Sequence, residues 1–114
     1  MGDLVTHIKT AYIDADVAIR KAKYHDGSTA LVLFDPVTGE LVAKATVCMS
    51  GYDLLPTNQR HVFIKDYSEN EGMFEALQRA GVIDEELRSL DAGWVHNGVR
   101  EARLVDIDAI EEMP

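Results

Sequence analysis

The chain has one cysteine, Cys48, in 114 residues. No internal disulfide is available to it, and a thiol in an apolar run is expected to be buried and inert. Three prolines and eight glycines are too few for a repetitive or low-complexity segment. No apolar run approaches the ~20 residues needed to cross a bilayer, and no basic-then-apolar leader opens the sequence. A cytoplasmic protein without a membrane anchor is expected. Basic residues are also scarce: eleven Lys and Arg stand against twenty Asp and Glu, for a net charge of −9. That balance repels phosphate backbones and argues against direct binding of DNA or RNA. It favours solubility and a partner with a basic surface. There is no phosphate-cradling glycine loop, no Gly-x-Ser-x-Gly and no dinucleotide fingerprint.

What is there suffices for one domain over 1–114. The composition is 46% apolar, and a chain of this length buries roughly two-thirds of its unfolded surface. The stretch from His61 to Gly81 carries a strand, a helix start, an amphipathic helix and a helix stop in succession. Ser68 with Glu71 three residues on reads as a capping box. Gly81 reads as an αL stop, with Val82 and Leu77 at the positions whose contact accompanies it. Between them Met73, Phe74, Leu77 and Ala80 form one apolar stripe. Gly72 is out of place in a helix, where it costs about 0.8–1 kcal/mol relative to alanine. Close approach of a neighbouring strand, or of a partner, would explain it.

Ahead of that stretch, residues 4–24 recur at helical spacing while their composition prefers strands. Asp14 and Asp16 favour two strands broken near Asp14. His25-Asp26-Gly27-Ser28 is a hairpin turn, Ala30–Phe34 a strand covered on both faces, and Asp35–Gly39 a second turn. Leu41–Met49 alternates as a strand, so three adjacent antiparallel strands are expected. Residues 50–60 form the longest irregular connection before the tail. Beyond Gly81, Asp84 reads as the cap of a helical turn over Glu85–Leu90. Asn97-Gly98, between Trp94-Val95-His96 and Val99–Val105, reads as a hairpin turn. Residues 106–114 read as a mobile acidic tail. The fold class is therefore α+β: an antiparallel sheet of five or six strands with one main helix, about 69–80, packed on one face.

Asp66, Glu69, Glu71 and Glu75 crowd the helix start. They offer oxygen for a hard cation, but the helix dipole accounts for them without a metal. The four histidines lie on separate segments, and a Cys48–His–Asp nucleophilic site would have to be assembled by folding. Tyr52, Leu54 and Leu55 in the long connection, with Tyr67 and Trp94, supply groups for an exposed anchor patch or for a cap on the core's edge. The candidates for contact with a partner are Asp66, Tyr67, Glu69, Glu71, Glu75, Tyr52, Leu55 and Trp94. No catalytic residue, metal ligand or cofactor is assigned.

The block Val62-Phe-Ile-Lys-Asp-Tyr-Ser-Glu-Asn-Glu-Gly72, with Leu41–Met49 before it and Ala80-Gly-Val-Ile83 after it, resembles a family of small uncharacterised bacterial proteins met on phages, plasmids and conjugative elements. The likeness covers roughly residues 24–105 and is specific in that block. It implies an accessory protein of a mobile element and carries no catalytic residue. Joined to the acidic composition, it leads to the expectation of a non-enzymatic protein-binding module, an inhibitor of a host defence system such as CRISPR–Cas or restriction. Its acidic groups would enter the basic nucleic-acid-binding groove of an effector. A small metal- or thiol-dependent enzyme and a structural accessory of the element are the alternatives.

Overall fold

The computed structural model describes residues 3–92 and 95–113. The expected α+β class holds. Among the described residues, eight strands and one main helix lie in the order β1 (Leu4–Lys9), β2 (Asp14–Lys23), β3 (Thr29–Phe34), β4 (Leu41–Lys44), β5 (His61–Lys65), α1 (Met73–Arg79), β6 (Ile83–Ala92), β7 (Val95–Leu104) and β8 (Glu111–Glu112). The strands divide between two sheets. One runs β1-β2-β3-β4 with β8 beside β2, and the other runs β5-β7-β6. All pairings are antiparallel except β2 with β8.

Residues 4–24 form two strands separated before Asp14, as their composition favours. Leu41–Met49, expected as one strand, is divided because the chain changes sheets within it. Ala45 N–H donates to Leu31 O at 2.9 Å on the first sheet. Ala45 O then accepts from Lys65 N, and Val47 N–H donates to Phe63 O, both on the second. Alternation alone is blind to such a change of partner, since both sheets keep the same pleat.

The main core lies between the sheets. Val17, Ile19, Leu31 and Leu33 meet Val62, Ile64, Ala102 and Leu104, and Met73, Phe74 and Leu77 of α1 join them. A second, smaller cluster of Met49, Phe63 and Val99, with Leu54, Tyr67 and Leu90 against it, covers the other face of β5 and β7. β5 is therefore buried on both sides, and the long connection lies over its outer face.

Two expectations beyond Gly81 are corrected. Glu85–Leu90 is not a helical turn but part of β6, and Asn97-Gly98 lies inside β7 rather than between two strands. The ladder from Ile83↔Leu104 to Ala92↔Val95 is interrupted by three register shifts. Each shift moves the apolar residues out of strict alternation, so Ile83, Leu87 and Leu90 recur at a spacing that mimics a helix. The tail carries a 3₁₀ turn at Ile107–Ala109 and a buried Ile110, followed by β8. Lys21 Nζ donates to Ile107 O, and Met113 N–H donates to Lys21 O, each at 2.8 Å.

Candidate partner-binding surface

Asp66, at the end of β5, shapes the acidic segment. Its N–H donates to Gly98 O at 2.9 Å, which ties the segment to β7. One carboxylate oxygen accepts from the N–H groups of Gly72 (3.0 Å) and Phe74 (3.2 Å), and the other pairs with Arg100 at 3.2 Å. Asp66 rather than Ser68 thus satisfies the first donors of the helix, and the expected capping box is absent at Ser68. Ser68 itself takes a φ of 54° inside a 3₁₀ turn, and Gly72 stands at the N-cap of α1 with φ 92°. That backbone is the reason for a glycine at 72. Packing adds little to it, since a Cβ there would lie 3.4 Å from Thr10 Cβ, at the edge of ordinary van der Waals contact.

The loop so closed sorts its side chains. Asn70 turns inward, is 1% exposed, and donates from Nδ2 to Lys44 O at 2.6 Å. Glu69, Glu71 and, one turn later, Glu75 are exposed. Lys65 reaches Glu69 at 2.5 Å, and its hydrogen bond holds the Glu69 carboxyl below the ordinary range. Tyr67 is half-buried against the smaller cluster.

Arg100 sits behind this loop with its guanidinium carbon 3.9 Å from the centroid of the Phe74 ring, while Glu86 and Asp66 take its N–H groups. The aromatic face and the carboxylates share the charge of a side chain that is mostly withdrawn from water. Glu86 also accepts from Ser89 Oγ. That bond, followed by the one from Arg100, lowers its carboxyl.

The 50–60 connection is pinned by a buried carboxylate. Glu101 is 0% exposed and accepts from Thr57 N–H (2.7 Å) and Arg88 Nε (2.5 Å), with His61 Nδ1 at 3.1 Å. Burial alone would push the Glu101 carboxyl up. The hydrogen bonds from Thr57 and Arg88 more than offset it and hold the group ionised, below its usual range. Arg88 also donates to Leu55 O at 2.8 Å and lies over the Phe63 ring. Leu54 packs inward, whereas Tyr52 and Leu55 stay exposed, each at 55%. Trp94 lies outside the described residues.

Cys48 is half-buried rather than enclosed. Folding brings it to the β2–β3 turn, where Sγ lies 3.4 Å from Asp26 Oδ2 and 3.3 Å from Ser50 Oγ, and Ser50 Oγ lies 3.1 Å from His25 Nε2. The sulfur thus faces a carboxylate and a hydroxyl, and the imidazole reaches it only through Ser50. An activated thiolate needs a base or a cation beside it. Asp26 is engaged by the Ser28 hydroxyl and N–H, which lower its carboxyl, so the cluster also serves as a clasp between the turn and the long connection. Among the described residues no group of three or more His, Cys, Asp or Glu is placed to hold a metal ion.

The partner candidates therefore fall into subsets. Glu69, Glu71 and Glu75 share the exposed rim that Asp66 organises, while Asp66 itself is consumed in holding it. Tyr67 and the long connection converge through Leu54 on one apolar cluster. Leu55 instead lines a shallow hollow with Asp26–Thr29, Pro56, Asn58 and Gln59. Sequence reasoning passed over Arg100, Glu101 and Asn70. For Glu101 a signal existed: within Val99–Val105 it shares a strand face with Val99, which places a carboxylate among apolar neighbours. No family model matches the chain, and neither a curated protein nor a solved structure matches it.

Proposed function

We propose that the chain is a non-enzymatic protein-binding module that occupies the basic nucleic-acid-binding surface of a host defence effector, as an anti-CRISPR or anti-restriction protein would. The observation that carries this reading is the disposition of charge. Arg20, Lys65, Arg88, Arg100 and Arg103 are held by Asp3, Glu69, Glu101, Asp66 with Glu86, and Asp84 respectively. Much of the scarce positive charge is thus spent inside the chain, and Glu71 and Glu75 stand exposed on the rim of α1. Such a field steers the protein toward basic grooves and accelerates encounter. The resemblance of Val62–Gly72 to mobile-element proteins supplies the setting.

The test is capture of purified host defence complexes by the immobilised chain, beside a variant carrying Glu69→Lys, Glu71→Lys and Glu75→Lys. All three positions are exposed, so the variant is expected to fold. Capture by the native chain and its loss in the variant support the proposal, and equal capture by both removes this rim from the interface.

The convergence of Cys48, Ser50, His25 and Asp26 favours a second reading, a thiol-dependent enzyme. Iodoacetamide labelling of the folded chain across pH decides it. Labelling of Cys48 no faster than a free thiol at every pH counts against a nucleophilic role, and rapid labelling near neutrality supports one.

A further inference from the structure

We infer that a hollow on the outer face of the first sheet is a binding site for a small amphipathic anion, a carboxylate with an aliphatic tail. Its floor is β3, a strand apolar along its whole length, a pattern that calls for cover on both faces. The core takes up only one of them. Leu31 and Leu33 enter the main core, whereas Ala30, Val32 and Phe34 alternate to the other face and belong to neither apolar cluster. Cross-strand pairing sets Ala22 beside Ala30, and Lys44 beside Val32, on that outer face. Over them lies an open hollow of about 410 Å³, a volume in the range of small-molecule sites. Leu41 and Met113 stand on its walls, 56% and 39% exposed. An aliphatic tail lying in the hollow removes both from water, which is favourable in proportion to the apolar area covered.

The polar groups of the lining set the chemistry of the head. Lys23 and Lys44 bound the hollow and are exposed, and neither enters an ion pair among the described residues. Among those residues no carboxylate lines it: Glu40 and Glu112 adjoin Leu41 and Met113 in the chain but are not part of the wall. The Tyr24 hydroxyl is engaged with Thr46 Oγ1 at 2.9 Å. Arg20, on the same face as Val32, is held by Asp3 and lies over the Phe34 ring. The hollow thus offers apolar surface and two uncompensated positive charges. A cationic ligand finds no counter-charge there, and a neutral one leaves both ammonium groups as they were. Lysines are flexible point charges rather than planar forks, so they suit one compact charge at the mouth while the tail lies on β3.

The probe is sodium octanoate titrated into the ¹⁵N-labelled full chain, with octan-1-ol and octylammonium as controls of the same tail. Amide shifts concentrated at Ala22–Tyr24, Ala30–Phe34, Leu41, Lys44 and Met113, strongest for octanoate, support the site. Lys23→Gln and Lys44→Gln are each expected to raise Kd about two- to fourfold, the range for exposed point charges, and Leu41→Asn about fivefold through lost apolar contact. All three positions are exposed, and the amide dispersion of each variant reports that it folds. Equal response to octanol or octylammonium, shifts scattered over the whole surface, no response, or lysine variants that bind as the native chain does overturn it. So do two outcomes that assign the face to another occupant. One is tighter binding at these amides of an acidic heptapeptide of alternating valine and glutamate, which points to a protein partner. The other is a shift of the same amides with protein concentration alone, which points to a second copy of the chain.

Discussion

Glu101 is a charged side chain with no exposure to water, and its position is tenable because polar groups from three segments meet its carboxylate. Thr57 brings the long connection, Arg88 brings β6, and His61 brings β5. Removing the carboxylate leaves those donors facing a void. Glu101→Ala is expected to cost about 3 kcal/mol in urea denaturation, the low end for a broken buried pair because Arg88 retains access to solvent. The folded-state pKa of Glu101 lies below its unfolded value. Its stabilising contribution is therefore present above the ordinary carboxylate range and is lost as pH falls through the depressed value. His7 has the opposite sign. Hydrogen bonds from the imidazole to Asp16 and Asp14 raise its pKa, so its contribution is full below the usual imidazole range and fades as pH rises through the raised value. The difference in Tm between the native chain and His7→Gln is expected to shrink on going from mildly acidic to alkaline buffer. At this scale the sequence was legible for local chemistry and not for distant partners. Gly81 is the αL residue of the expected stop, with Gly81 N–H on Gln78 O and Val82 N–H on Leu77 O. Ser68 was the better-spaced cap by local rule, yet Asp66 took the role because its backbone is anchored to Gly98, a contact invisible in the local pattern.

At the scale of elements, α1 is a helix of only two turns whose stability comes from its ends and its buried stripe rather than from propensity. Gly72 and Gly81 hold those ends, both at positive φ. Gly72→Ala and Gly81→Ala are each expected to cost about 1–2 kcal/mol, the usual cost of a left-handed L-residue. The larger effect should fall at Gly72, whose φ of 92° lies farther from the left-handed minimum than the 77° of Gly81. Circular-dichroism melts of the two variants check the order. The tail is a second element with a packing role: Ile110 is 3% exposed in the main core. Ile110→Ala is expected to cost about 2–4 kcal/mol, as truncation of a core isoleucine does, and a loss under 0.5 kcal/mol would place the tail outside the core. Strands with strict alternation or continuous burial, such as β3, were readable in the sequence. β6 was not, since its bulges shift parity three times. The division into two sheets was hidden for a related reason, because Ala45–Val47 changes partner without changing its pleat.

On the scale of the molecule, a net charge of −9 meets a fold that binds many of its arginines internally. Exposed carboxylates accordingly stand together on the Glu69–Glu75 rim. The rim's residues were legible as candidates because they are contiguous in sequence. Association with a basic surface should weaken steeply with salt, as screening predicts for exposed charges. The most direct measurement is competition: a captured defence effector is bound to labelled nucleic acid, and its displacement by the native chain is followed from about 50 to 500 mM salt, where the screening length falls from ~14 to ~4 Å. Displacement that is strong at low salt, fades with added salt and is lost on charge reversal at Glu69, Glu71 and Glu75 is the expected result. An effector that keeps its nucleic acid at every salt concentration, or yields it equally to the reversed variant, would contradict the account.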